Sequence, residues 1–516
     1  MHRCAAACAS LWLVAMLVTG CKPNQPLAKQ GSPIDHRGSG QTGREPLRTT
    51  WDVYYVKSSR VGYGRTTIRS TTESGREVLH IEQWNHLAVK RGHDRTEQDI
   101  RSTSVETPDG SLLRFECQMR SGANPMRTAG QVEGDRLELE TTTGGKKLVT
   151  TIPWSPGWGG PFAPEQTLIR KPMQPGEHRR LTALMIGFNQ PAEVELQAKG
   201  YEPVSMLGGV HDLLRIETTT RFSNGQKLES VVWADRTGNT LKTFSDAMDL
   251  TTYRASEAEA LAKVDTADFD LLGATLVSLD QPLSNPYQTK RVRYRVRLSG
   301  GDPSAVFVTG PTQEVTSIDP HTAQVTVYAI RPGEPGGNAA APPDPPTDAD
   351  RRPNGIIQSD DPEVVAQAQQ AAGTETDPWR VATKLERYVN QVITKKDYSQ
   401  AFATAAEVAK SHEGDCTEHA VFLAALARAR GIPARAAMGL VYSQTQGRPG
   451  FLYHMWTEVY IDGRWIPIDG TLGRGGIGAA HLKLAQSNFS DASPYSAFLP
   501  VAQVVGRLKI EILDAR

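Results

Sequence analysis

The sequence predicts a multidomain chain in which β-rich N-terminal domains, with antiparallel sheets and an Ig-like sandwich, precede a C-terminal α+β domain. Three observations predict it. From Trp51 to about Tyr253, short runs alternate apolar and polar residues between turn pairs, the period-two pattern of strands with one buried face. Beyond about residue 360 the apolar spacing becomes helical and then returns to strands, so helices gather first and strands after. Between the two regimes lies a stretch, 333–357, rich in Pro and Gly, which reads as a linker or surface excursion.

The elements follow in order. Residues 1–21 read as an exported address: His2 and Arg3, then an apolar core around Leu11–Val18, too short for a comfortable membrane span. It ends in Val18-Thr-Gly-Cys21, which resembles the lipobox of bacterial lipoproteins. That resemblance implies lipid on Cys21, membrane attachment and a cell-envelope location. Lys22 follows where no acidic residue stands, which by resemblance to enteric lipoproteins allows an outer-membrane destination without selecting it over the inner. Residues 22–48 have few large apolar side chains and read as a flexible tether.

Residues 49–260 are expected to form one or more antiparallel β domains. Trp51–Val56, Arg136–Glu140 and Arg215–Thr220 are strand-like, and Gly144-Gly145 and Asn224-Gly225 are hairpin-type turns. Trp154-Ser-Pro-Gly-Trp-Gly-Gly160 is a loop with two tryptophans, suited to binding sugar or peptide, or to packing under a sheet edge. Residues 261–332 are expected to form the small sandwich. In it, Arg291-Val-Arg-Tyr-Arg-Val-Arg-Leu298 places every arginine on one face, solvated or anion-binding. No internal repeat at a fixed period is evident.

Residues 358–516 carry the chemistry. Asp361–Ala372 and Pro378–Ile393 are predicted helices, the second with Val381, Leu385, Val389 and Val392 on one side. A third begins near Cys416: Asp415 is a candidate N-cap, Glu418 completes a capping box, and Gly431 with Pro433 stops it. A thiol at a helix N-terminus sits where the macrodipole and unpaired N–H groups favour thiolate and oxyanion. Downstream, Phe451–Ile461, Asp462-Gly463 and Arg464–Asp469 read as a hairpin with a two-residue turn. That register puts Trp456 opposite Asp469 and His454 diagonal to it on the same face. A three-residue turn would separate them. Cys416 as nucleophile, His454 as base and acid, and Asp469 as orienting carboxylate then form a triad for acyl transfer. Trp456 and His419 are expected to line the site, Trp456 as a wall against water or simply as core.

Four segments, Gly414-Asp-Cys-Thr-Glu-His-Ala420, Ala427–Arg435, Tyr453-His-Met-Trp-Thr-Glu-Val-Tyr460 and Gly463-Arg-Trp-Ile-Pro-Ile-Asp469, resemble the bacterial transglutaminase-like family, related in fold to papain-type thiol enzymes. The resemblance covers roughly residues 360–516 and places the family's triad on Cys416, His454 and Asp469. It departs at Gly470, where the family usually has proline.

The predicted function is a thiol enzyme acting on amide bonds of a protein or peptide through a covalent thioester. Water (protease or amidase) and an amine (glutamine acyl transfer) are both open as acceptors, with a slight preference for hydrolysis. The alternative is an envelope binding or scaffold protein with a relic domain, against which all three triad residue types stand. The 57 basic and 57 acidic residues cancel, which argues against nucleic acid. No cofactor or metal is expected: His412, Cys416, His419 and His454 lack zinc-ligand spacing, and no calcium loop stands out. Of five cysteines, Cys4 and Cys8 leave with the signal. Cys117 and Cys416 could pair, or Cys416 could remain a working thiol. His481 has no evident partner. A monomer is expected.

Overall fold

The computed structural model describes residues 46–516 except 92–93, 121–124, 144, 247–248, 264–272, 274, 335, 396–402, 446 and 491–493. The predicted signal, tether and Cys21 therefore lie outside the described residues.

Strands β1 (Arg48–Val56) to β14 (Leu250–Ala255) form a single antiparallel sheet. Except for β8 (Lys146–Pro153) and β9 (His178–Met185), which are the two edges, each strand pairs with its chain neighbours, and β1 pairs with β14, so the order runs outward in both directions to those edges. Turn residues with positive φ, such as Ser74-Gly75, set the hairpins. The tryptophan loop ties the two halves together. Gly159 bridges Ser111 on one half and Ala183 on the other, and its N–H donates to the Thr182 carbonyl at 2.8 Å. Trp154 is buried and meets Trp158 edge-on at 5.4 Å. Of the two expectations for this loop, the structure shows packing. Cys117 is likewise a buried core residue, and neither it nor Cys416 is in a disulfide.

The segment expected as an independent Ig-like sandwich is organised differently. Strands β16 (Arg291–Leu298), β17 (Gln313–Asp319) and β18 (Thr322–Tyr328) make a four-stranded sheet completed by the C-terminal strand β23 (Leu508–Ala515), in the order β17-β18-β16-β23. The short β15 (Val277–Ser278) instead joins the sheet of the α+β region. The reason lies in β16. Its face of Val292, Tyr294, Val296 and Leu298 is fully buried, and its arginine face needs counter-charge. Glu511 pairs with Arg295 at 2.9 Å and Arg297 at 2.6 Å, and Asp514 pairs with Arg291 at 2.8 Å and Arg293 at 3.5 Å. The basic face is thus neutralised by its neighbouring strand. The Pro/Gly-rich stretch packs as well: Asp344 pairs with Arg435 at 2.7 Å, and its carbonyl accepts from Trp465 Nε1 at 2.8 Å.

The α+β region begins with α3 (Pro362–Ala372) and α4 (Pro378–Val392), following α1 (Ala163–Arg170) and α2 (Glu257–Leu261) in the first half of the chain. Asp361 and Asp377 cap the two helices, and proline opens each. A short helix α5 (Ala405–Ser411), started by a Thr404/Glu407 capping box, escapes the sequence reading because seven residues are too few to show a period. Helix α6 (Cys416–Ala429) is buried on all sides from Cys416 to Arg428, as the unbroken apolar run Ala420–Ala427 requires. It packs against α3, α4 and α5 and against β20 (Arg448–Ile461). Strand β20 lies between β15 and β19 (Ala434–Thr445), β22 (His481–Ser487) flanks β19, and β21 (Arg464–Ile468) pairs with β20.

Strand β23 buries Ile510 and supplies the carboxylates for β16. Removing residues 508–516 should cost about 3 kcal/mol or more, because it uncovers an apolar strand edge and strips four arginines of their partners. Urea denaturation of the truncated chain measures this; an unchanged midpoint would show that β23 is dispensable.

Candidate active site

The hairpin sets the site. Ile461 pairs with Arg464 and Thr457 with Ile468, the register of a two-residue turn. Asp462 and Gly463 both have positive φ, 49° and 77°, as that turn requires. His454 and Asp469 therefore project from one face, and His454 Nε2 meets Asp469 Oδ2 at 2.8 Å. Both residues are buried.

Cys416 opens α6. The Asp415 side chain accepts from the Thr417 N–H at 2.9 Å, and Glu418 accepts from the Asp415 N–H at 2.9 Å and the Ala403 N–H at 2.9 Å. Burial and the nearby Asp415 charge hold the Glu418 carboxyl well above its ordinary range. The thiol itself is fully buried. The helix is pinned to the histidine's strand by Thr457 Oγ1, which donates to the Ala420 carbonyl at 2.9 Å.

Two more residues belong to this centre. His481 Nε2 approaches the same Asp469 oxygen at 3.2 Å, so one carboxylate oxygen serves two imidazoles. Burial alone would raise the Asp469 carboxyl, but the His454 charge, its hydrogen bond and that of His481 outweigh it and hold the group far below the usual range. His481 is pushed down by its own burial against the pull of Asp469, which favours its neutral form. Glu386 on α4 is the second. Its carboxylate accepts from the backbone N–H groups of Asp469 at 2.9 Å, Gly475 at 2.6 Å and Gly476 at 3.1 Å. Burial, offset in part by these donors, pushes its carboxyl up to about 7.

Of the two residues expected to line the site, Trp456 is buried, stacks beside His454 at 6.3 Å and meets His481 edge-on at 5.2 Å, while packing on Ala437 and Ile477. His419 Nδ1 meets the Asp415 carbonyl oxygen at 2.6 Å, beside the helix start. Gly470, the departure from the family pattern, is closely packed: a Cβ there would lie 2.8 Å from Val389 Cγ1. The zinc reading of His412 and His419 loses support, since His412 contacts Gln367 and His419 the Asp415 carbonyl. Among the described residues, His454, Asp469 and His481 do have donor atoms within 4.8 Å of one another. Here both imidazoles direct Nε2 to the carboxylate, the arrangement of two donors sharing an acceptor.

A cleft of about 850 Å³ reaches His454. Its walls are the Pro282–Gln288 loop, the Val441–Gln444 part of β19, and Thr471, Leu472 and Arg474.

With this geometry established, comparison with known proteins adds the family. The sequence profile of the transglutaminase-like superfamily core matches residues 365–470. This segment is a transglutaminase-like superfamily domain. It contains Cys416, His454 and Asp469 and ends just short of the Gly475-Gly476 turn and His481. Comparison with curated proteins returns no match. Among solved structures, the chain is similar to a candidate cysteine protease from Cytophaga hutchinsonii (16% identity, 44% of this chain and 86% of that one, TM-score 0.26). It is also similar to the periplasmic domain of TgpA from Pseudomonas aeruginosa bound to ethylmercury (15%, 36% and 91%, 0.24). A third similarity is to a β-barrel-like protein of a domain of unknown function from Brucella abortus (13%, 41% and 96%, 0.30).

Sequence reasoning missed His481 and Glu386. A signal existed for Glu386: a carboxylate beside Leu385 and one turn from Val389, within the buried stripe of α4. The pH consequence is specific. Because the folded-state value of Glu386 lies above the ordinary 4.5, the folded state retains a proton that the unfolded chain releases between about pH 4.5 and 7. Its contribution is full below that window and is lost as pH rises through it. Glu386→Gln should therefore remove up to about 3 kcal/mol of the stability change between pH 4.5 and 7. Chemical denaturation at both pH values, compared with the parent, checks this; identical slopes would remove Glu386 from the titration.

Proposed function

We propose that the chain is a cell-envelope thiol enzyme that acts on amide bonds of a protein or peptide through a covalent thioester. The observation that carries this reading is the 2.8 Å contact of His454 Nε2 with Asp469. It commits one ring nitrogen to the carboxylate and leaves Nδ1 to handle the thiol proton. Cys416, at the start of the buried helix α6, supplies the sulfur. The matched family domain supports the assignment of these three roles.

In this mechanism the Cys416 sulfur forms a bond to the carbonyl carbon while His454 holds the thiol proton. Collapse of the tetrahedral species breaks the C–N bond, and His454 gives that proton to the departing amine. Water or a primary amine then attacks the thioester, losing its proton to His454, and the thiol is regenerated. Asp469 keeps the imidazole in one tautomer throughout. Trp456 and the burial of the centre keep bulk water off the reacting groups. Hydrolysis and transfer share every step up to the acceptor, and hydrolysis is the simpler use of the site. Lipid on Cys21 would tether the enzyme at the envelope, an assignment supported by the Val18–Cys21 pattern alone.

Iodoacetamide should alkylate Cys416 near neutral pH faster than it alkylates free cysteine. Cys416→Ala should abolish amide cleavage and amine incorporation, and Asp469→Asn should lower turnover roughly a hundred- to ten-thousand-fold. Incubation with a glutamine-containing protein and a tagged amine, read by mass spectrometry, separates new cleavage sites from tag incorporation. Slow alkylation together with full activity of Cys416→Ala would sink the enzyme reading.

A further inference from the structure

We propose that Arg474, stacked on Tyr287 at the wall of the cleft, forms an anion subsite, so that the preferred acyl donor carries a carboxylate close to the reacting amide. This deepens the thiol-enzyme reading and rests on it. Arg474 is the one lysine, arginine, aspartate or glutamate among the residues lining the cleft that reaches His454. Its guanidinium lies 4.3 Å from the centroid of the Tyr287 ring. It is exposed, and among the described residues no carboxylate comes within ion-pair distance of it. Nearby Glu386 does not serve as that partner, because its oxygens accept from backbone N–H groups. A guanidinium seated over an aromatic ring by its central carbon still has N–H donors to offer, and their fork matches a carboxylate.

The platform is also prearranged. The Leu283 N–H donates to Tyr442 Oη at 3.1 Å, fixing the loop to β19. On its other side the loop packs so tightly that a Cβ at Gly478 would lie 2.3 Å from the Pro286 carbonyl oxygen. On the Arg474 side, Glu386 clamps Gly475 and Gly476. Both halves of the subsite are thus anchored through the elements that hold His454 and Asp469, so a bound carboxylate would sit at a set offset from the reacting carbonyl. The carboxylate could be an acidic side chain or a peptide's free C-terminus.

The test uses peptides that differ only by Glu, Gln or Lys beside the reacting amide, each with a free or amidated C-terminus. Turnover by the parent enzyme should favour the carboxylate-bearing peptide by about three- to tenfold, and the arm that shows the preference identifies side chain or terminus. Arg474→Gln should bring the ratio to about one, and Arg474→Glu should reverse it toward a Lys-bearing peptide, a gain that misfolding cannot imitate. A preference that survives Arg474→Gln overturns the subsite. Binding of the same fluorescent peptides to Cys416→Ala protein reads the subsite without chemistry. Equal binding there overturns the subsite, whereas a preference in binding without turnover by the parent overturns the enzyme reading and leaves the subsite standing.

Discussion

An ionised carboxylate removed from water survives only where donors surround it. Asp469 is buried and has such a shell: His454 and His481 on one oxygen and the Thr471 N–H on the other at 2.8 Å. The three donors come from different parts of the fold, namely β20, β22 and the turn after β21, while Glu386 on helix α4 accepts from the Asp469 backbone N–H. The geometry around Asp469 and the packing of the α+β region are therefore one arrangement. Displacing Asp469 would disturb both, because a buried charge left without partners destabilises the structure around it.

A second buried network holds the opposite end of β20. Glu458 accepts from Lys483 Nζ at 2.6 Å and from Arg435 Nε at 2.9 Å, and Arg435 also lies 3.9 Å over the Trp465 ring. Burial would raise Glu458, but the two cations outweigh it and keep the carboxyl low. Strand β20 thus carries a histidine near its middle and a neutralised ion cluster near its end, with β19, β21 and β22 fastened around both.

The local parts of this design were legible in the sequence. Asp415 with Glu418 announced the helix start, and Asp462-Gly463 fixed the hairpin register that joins His454 to Asp469. These signals work because cap and turn chemistry depend on residues three or four positions apart. His481 was illegible for the converse reason: it reaches Asp469 across a glycine-rich turn that has no period, and its strand pairs with β19 rather than with a sequence neighbour. The large antiparallel sheet was legible as alternation, but its strand count and the pairing of β1 with β14 were not, because alternation identifies a face and not a partner. The expected sandwich failed similarly: β16 announced two faces, and nothing nearby named the strand that covers its edge.

That covering strand has a consequence in time. Arg295 and Glu511 lie 216 positions apart, and the segment between them contains all three triad positions. A ribosome delivers β16 long before β23, so this sheet stays open at one edge until the segment that carries Cys416, His454 and Asp469 has been made. The pairing that neutralises the arginine face therefore cannot form before the whole intervening α+β segment exists.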